Sequence, residues 1–251
     1  MNKQRVPPET DLKLLADDVF LVSYPRSGNT WARFLLANLL GFAERTVVDF
    51  HSVQRLIPDL HSRAQREFIK ALPSPRIIKS HYPFTPAYHR VIYVLRDGRD
   101  VAVSYFDYLT KQNRFEGTLA RFLAAGNLPY GPWHAHVESW LAAQETTDML
   151  LVRYEDLLAD ARRELARMAR FIGLTTTAKQ LDYAVEKSSF IQMQQIEAAK
   201  GRPFDTSGYR FVRRGVAGQW PEQFDSEAKA IFKAQANPTL LKLGYATTPD
   251  W

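Results

Sequence analysis

The chain of 251 residues is 45% apolar and 24% charged, the balance of a folded globular protein rather than a disordered one, and long enough to bury a core without staples. It has no cysteine, which excludes disulfides, thiolate metal sites and thiol nucleophiles. Lysine and arginine number 33 against 27 acids, a formal charge of +6 that favours anionic partners; the arginines fall beside turns rather than in one basic stripe, which fits a small polyanion and argues against nucleic acid.

Residues 1–18 read as an N-terminal extension without the apolar centre of a signal peptide. No stretch reaches the roughly 18 uninterrupted apolar residues of a membrane span. WARFLLANLLGF, the best candidate, is short and carries Arg33. The expectation is a soluble, cytoplasmic protein with no membrane partner, folded as one domain over 1–251 with its core in 19–243.

In chain order, VFLVSYP (19–25) is a strand that leads into a helix, NTWARFLLANLL. RIIKSHYP (76–83) is a second short strand ending at a proline. VIYVLRDGR leads into the helical DVAVSYFDYLTK, and PWHAHVESWLAAQ also has helical spacing. MLLVRY leads into EDLLADARRELARMARFIG, read as a helix with Leu157, Leu158, Leu165, Met168 and Phe171 apolar and Gly173 as its stop. Asp225 to Leu243 completes the helical packing. Near-continuous apolar strands alternating with helices predict an α/β fold, an open and mainly parallel sheet flanked by helices. Its ligand site lies beyond the carboxyl ends of the strands, where all four runs carry their polar residues.

The first turn, Arg26, Ser27, Gly28, Asn29 and Thr30, has the chemistry of an anion site. Amides at a helix N-terminus lack partners and the helix dipole favours negative charge there. Gly28 permits close approach, two hydroxyls add donors, and Arg26 adds fixed charge. Neither the Walker A pattern nor GxGxxG is present. Taken alone, the stretch is also compatible with a plain strand–turn–helix and a solvated arginine.

Five separated stretches narrow the choice. YPRSGNTW (24–31) resembles the YPKSGTTW loop of PAPS-dependent sulfotransferases, which grips the 5′-phosphosulfate of 3′-phosphoadenylyl sulfate (PAPS). KSHYP (79–83) is similar to their KTHLP segment with its catalytic histidine, and VIYVLRDGRDVAVSYFDYL (91–109) to their 3′-phosphate segment. LLVRYEDLLAD matches the YEDL unit, and FVRRGVAGQW the late RKGxxGxW loop. The matches run in family order from about residue 19 to 224.

The resemblance implies a P-loop-NTPase-like sulfotransferase fold and sulfuryl transfer from PAPS, with PAP as product, to a hydroxyl or amine of a small-molecule acceptor. It implies His81 as general base, with Arg26 and Ser104 beside it in catalysis. The donor would be held by Arg26, Ser27, Gly28, Asn29, Thr30 and Trp31, by Arg96 and Ser104 at the 3′-phosphate, by Tyr154, Ser188 and Phe190 around adenine, and by Arg213, Arg214 and Gly215 from the far side. Tyr82, Phe84 and Tyr108 are the candidates for the acceptor wall; as helix or loop aromatics they fit a core role as well. Lys79 either supports the site or packs. His134 and His136 form an HxH without a third ligand nearby, so no metal is expected.

Three features depart from the family pattern: Arg26 replaces the loop lysine, Pro221 follows GQW where many relatives carry lysine, and the KxxxTVxxxE dimerisation segment is missing. The oligomeric state is therefore open, and the compact chain points to a bacterial enzyme. Two other functions fit parts of the pattern, a catalytically impaired PAP- or PAPS-binding protein and a kinase-like transferase. The second lacks a Walker lysine and a metal-holding acid in the loop.

Overall fold

Four apolar runs pair into one parallel sheet in the computed structural model, which describes residues 12–43, 48–126, 128–203, 210–212 and 215–251. The strands are β1 (Val19–Ser23), β2 (Ile77–Ser80), β3 (Arg90–Leu95) and β4 (Asp148–Arg153), in the order β2-β1-β3-β4. Every pairing is parallel, with Val22 opposite Ser80 on one side and Tyr93 on the other. β1 is buried along its whole length, which explains why its sequence is apolar on both faces.

The helices are α1 (Asn29–Leu40), α2 (Val53–Leu56), α3 (Arg66–Ala71), α4 (Gly98–Lys111), α5 (Leu119–Ala124), α6 (Trp133–Ala142), α7 (Tyr154–Ala159), α8 (Ala161–Phe171), α9 (Ala178–Lys187), α10 (Phe190–Lys200) and α11 (Ser226–Lys242). Side chains of β1 alternate between two cores. Val19 and Leu21 join Phe34, Leu35, Val94 and Met168 on one face; Phe20 and Val22 join Tyr93, Trp140 and Phe232 on the other. The first core is closed by α1, α8 and α9, the second by α4, α5, α6 and α11. The result is a sheet with helices on both faces. Among the described residues no helix is long and apolar enough to cross a membrane.

The order β2-β1-β3 places successive connections on opposite sides of β1. That opens a crevice at the carboxyl ends of β1 and β3, where ligands of open α/β sheets bind. Both strands end directly at polar turns, Pro25–Thr30 and Arg96–Asp97.

Two features differ from the sequence expectation. The helix predicted over 155–173 is divided at Asp160, whose backbone leaves helical geometry (φ −154°) and whose carboxylate accepts the Arg163 amide at 2.9 Å. A free N-cap carboxylate satisfies one of the amides a new helix exposes, so the chain starts α8 there although its apolar spacing runs on. The second is an extra rung outside β2: the Lys79 amide donates to the Pro58 carbonyl (2.9 Å), and the Leu60 amide donates to the Lys79 carbonyl (3.0 Å). This rung brings residues 59–61 over the end of β2.

At the opposite end of the sheet, Asp18 and Arg76 precede β1 and β2. The Arg76 Nε and a terminal nitrogen reach the two Asp18 oxygens at 2.7 and 2.6 Å, and both side chains are buried. Removing one member leaves a desolvated charge without its counter-ion. Asp18→Ala is expected to cost roughly 3–5 kcal/mol, whereas replacing both residues by leucine costs less than Asp18→Ala alone. Urea midpoints of the three variants measure this; an unchanged midpoint for Asp18→Ala would reject the pair as a strand clamp.

Candidate active site

The turn after β1 departs from regular backbone where ligand chemistry requires it. Arg26 is left-handed at φ 71°, which costs a side-chain-bearing residue about 1–3 kcal/mol. Gly28 follows at φ 99° and serves as the N-cap of α1 without a side-chain cap. The first intrahelical bond runs from the Ala32 amide to the Gly28 carbonyl (3.1 Å), so the amides of Asn29, Thr30 and Trp31 precede it. No acidic residue occupies that first turn. Asn29 turns its side chain inward, donating Nδ2–H to the Leu21 carbonyl (3.1 Å), so its backbone amide rather than its side chain is what it offers a ligand. Ser27 is buried and Thr30 half-buried.

Arg26 and Arg96 connect this turn to the rest of the crevice. Arg26 Nε donates to Ser104 Oγ at 3.1 Å, and its guanidinium lies over the Phe211 and Tyr108 rings at 4.2 and 5.0 Å. Arg96, one residue past β3, donates to the carbonyls of Arg26 (3.3 Å) and Val216 (3.0 Å), and its guanidinium sits 4.3 Å from the Tyr154 ring centre. Asp100, one helical turn further on, lies 3.6 Å from Arg96. Its carboxylate also accepts the amides of Gly218 (2.7 Å), Gln219 (3.1 Å) and Trp220 (3.1 Å). A buried carboxylate thus ties the late loop to the start of α4. Arg213 and Arg214 lie outside the described residues; Gly215 and Val216 show that this loop returns to Arg96.

An aromatic group flanks the turn. Trp31 packs on Phe190 (4.7 Å between ring centres) and edges onto Tyr154 (5.9 Å). Two glycines make room for these rings: a Cβ on Gly28 would come within 2.6 Å of Tyr154, and one on Gly215 within 2.3 Å of Phe190. Ser188 is fully buried and serves as a mount, its carbonyl accepting the Trp31 indole N–H (3.0 Å) and its hydroxyl accepting from Asn38 Nδ2 (3.0 Å).

His81 stands just past β2. Its Nδ1 lies 2.7 Å from the Ser23 carbonyl at the end of β1. A carbonyl only accepts, so Nδ1 carries the proton and Nε2 keeps its lone pair. Burial, reinforced by the charge of Lys79, holds the imidazole well below its ordinary pKa, and it is neutral at pH 7. Lys79 is ion-paired with Asp59. Burial pushes the Lys79 ammonium below its usual value despite Asp59. Burial alone would raise the Asp59 pKa, but the paired Lys79 ammonium overrides it and keeps Asp59 ionised. Lys79 is thus held at the end of β2 by its pair with Asp59.

The expected acceptor aromatics are placed unequally. Tyr82 is buried, its ring 4.3 Å from His61, and its carbonyl accepts the Trp140 indole N–H (3.1 Å). Phe84 is half-buried, edge-on to Trp140. Tyr108 covers Arg26, and Tyr130 joins the group with its ring 5.7 Å from His81.

Comparison with known proteins matches this geometry to one family. A model of the sulfotransferase domain matches residues 16–244. The chain is a member of the sulfotransferase family. Mouse sulfotransferase 1B1 is 32% identical over 256 residues, covering 90% of this chain and 84% of that relative. Sulfotransferase 1A1 of Bos taurus is 29% identical, covering 87% of this chain and 81% of its own length. Among solved structures, mouse sulfotransferase SULT7A1 complexed with PAP superposes with a TM-score of 0.72 at 25% identity, over 93% of this chain and 89% of that one. Retinol dehydratase in complex with androsterone and PAP shares the fold, with a TM-score of 0.70 at 23% identity, over 91% of this chain and 82% of that one.

Within this sulfotransferase Asp59, His61 and Tyr130 lie outside every matched stretch, while Asp100 sits unremarked inside the 91–109 stretch. Asp100 lies in the first turn of α4, and Arg96, two residues before that helix, reaches to within 3.6 Å of it. His136 belongs to the HxH pair and is a core residue. Its Nε2–H donates to the His81 carbonyl (3.1 Å) and its Nδ1 accepts from the Tyr93 hydroxyl (2.9 Å). Burial lowers its pKa to about 4 from 6.5. The unfolded chain binds a proton from about pH 6.5 downward while the folded chain resists it until about pH 4. This contribution is complete above 6.5 and lost as pH falls to 4, on the order of 3 kcal/mol; His81 acts in the same direction. Urea midpoints are expected to fall from pH 7 to pH 4.5, and His136→Gln, which keeps a donor for the His81 carbonyl, to flatten the slope. The same slope in that variant would mean another group carries it.

Proposed function

We propose that this sulfotransferase transfers the sulfuryl group of PAPS to a hydroxyl or amine of a small acceptor, with His81 as the general base. The observation that carries the reading is the 2.7 Å contact between His81 Nδ1 and the Ser23 carbonyl. It leaves Nε2 as a base at the end of the strand that runs, two residues later, into the anion turn. A neutral imidazole beside an N-terminal amide array is suited to take a hydroxyl proton while negative charge gathers across the turn.

The donor fits between the two ends of the crevice. The amides of residues 29–31 and the Arg26 charge receive the 5′-phosphosulfate, and Arg96 with Ser104 receives the 3′-phosphate. Trp31, Tyr154 and Phe190 supply faces for adenine, consistent with the PAP held by the SULT7A1 relative. His81 Nε2 takes the proton from the acceptor as its oxygen or nitrogen bonds to sulfur. The bond from sulfur to the bridging phosphate oxygen breaks, and that oxygen leaves with its electron pair as part of PAP. Tyr108, Tyr130 and Phe84 give the acceptor side an aromatic character that suits a phenol or other apolar alcohol.

Three measurements test the reading. Calorimetry is expected to give PAP a clear advantage over AMP and ATP; equal affinities would sink the two-ended clamp. Arg96→Ala is expected to weaken PAP roughly 10- to 100-fold and to leave AMP nearly unchanged, because only PAP carries the 3′-phosphate. His81→Ala is expected to lower transfer from labelled PAPS to a phenol by about 100- to 10,000-fold with PAP affinity retained. Normal turnover in that variant would remove His81 as the base.

A further inference from the structure

We infer that His61 is a positioning residue for the reaction, holding the His81 main chain through a lone pair that protonation abolishes. The inference rests on the reading of His81 as the base. His61 Nε2 lies 2.7 Å from the His81 amide. A backbone N–H can only donate, so Nε2 must be unprotonated and the proton sits on Nδ1, which faces the Tyr130 hydroxyl at 3.3 Å. The two imidazoles stack at 5.8 Å with an interplanar angle of 27°.

The loop that carries His61 is fixed on both sides of it. The Pro58 carbonyl and Leu60 amide pair with Lys79, and the His61 amide donates to Asp59 Oδ1 (3.0 Å). His81 is thereby held at three points: His61 takes its amide, His136 supports its carbonyl, and Ser23 receives its ring proton. Each contact leaves Nε2 of His81 untouched. His61 is the member of the three whose support depends on a single ring nitrogen remaining unprotonated.

Protonation of His61 would place an N–H against an N–H and add a cation beside His81. The charged and titratable groups around His61 are Asp59 on its own loop, Lys79 on β2, His81 and Tyr82 beyond it, Tyr130 before α6, and Arg33 on α1, which donates to the Ile57 carbonyl at 2.6 Å. Asp59 is the acid among these groups, and Lys79 already pairs with it.

The test compares His61→Gln, whose amide oxygen can accept the His81 N–H without titrating, with His61→Leu, which cannot accept it. Leucine is expected to lower kcat about 100-fold, the scale of a misplaced catalytic group, with PAP affinity unchanged; glutamine is expected to restore most of that loss. The acid limb of the wild-type pH–rate profile should reflect two ionisations, and that of the glutamine variant one. Independently of turnover, the His81 amide resonance should move with the titration of the His61 ring in the wild type and stay constant in His61→Gln.

Equal kcat for the two variants, or a His81 amide indifferent to His61 titration, would overturn the inference. If leucine disrupts folding, seen as lost PAP binding, the amide titration and the glutamine pH profile still decide. If the protein transferred no sulfuryl group at all, the proposed function would fail while the amide titration would still report on the His61 contact.

Discussion

The hydrogen bond from the His81 ring to the Ser23 carbonyl joins the proposed base to the strand that feeds the proposed donor turn. The parallel register pairs Val22 with Ser80, so Ser23 and His81 are the next rung out. At that rung a side-chain N–H takes the place of a backbone ladder bond, 2.7 Å from the carbonyl it satisfies. The sheet register brings His81 beside the turn, and His61 and His136 hold its main chain there. Much of the cost of ordering the residue is thus met by strand pairing that the core already requires.

Around that rung the protein assembles cations and then balances them. Arg96 has Asp100, Lys79 has Asp59, and Arg26 lies against two aromatic faces. Asp100 does two things with one carboxylate, since the amides of residues 218–220 also converge on it. The late loop and the start of α4 are therefore coupled electrostatically. Each of these three cations has a partner that offsets part of the cost of holding it out of water. His81 follows from its surroundings: burial and the Lys79 charge beside it favour its neutral form, which is the form the proposed base must have.

The sheet and the donor turn were legible because their signals are local. A strand buried on both faces must be apolar throughout, and a turn that exposes helix amides must carry small and hydroxyl residues. The central strands β1 and β3 and the start of α1 obey these rules. The break at Asp160 was hidden because apolar spacing continues across it while a single carboxylate decides where the new helix starts. His61 was less legible still. It reaches His81 only because residues 58–60 pair with Lys79, a contact across some twenty residues that no periodicity encodes. Ser188 was found through resemblance, but its placement differs from that of a ligand contact: it holds Trp31 rather than facing the crevice. Asp100 stood in plain view, one turn beyond Arg96, and its role appears only once the late loop folds back on it.

Arg26 is the point where the chain departs most from the family pattern, and the chemistry explains why the departure is tolerable. A lysine at this position could in principle deliver a proton to the departing oxygen; a guanidinium remains charged at any working pH and cannot. The departing oxygen, however, becomes part of a phosphate, whose second ionisation lies near pH 6. It leaves as a stable anion and needs charge stabilisation rather than a proton. For that task a delocalised cation with several N–H donors is well suited, and here Tyr108, Phe211 and Ser104 already fix its plane. In the proposed reaction the proton that must move belongs to the acceptor, on the far side of the sulfur, and three separate contacts fix the position of His81, the proposed base.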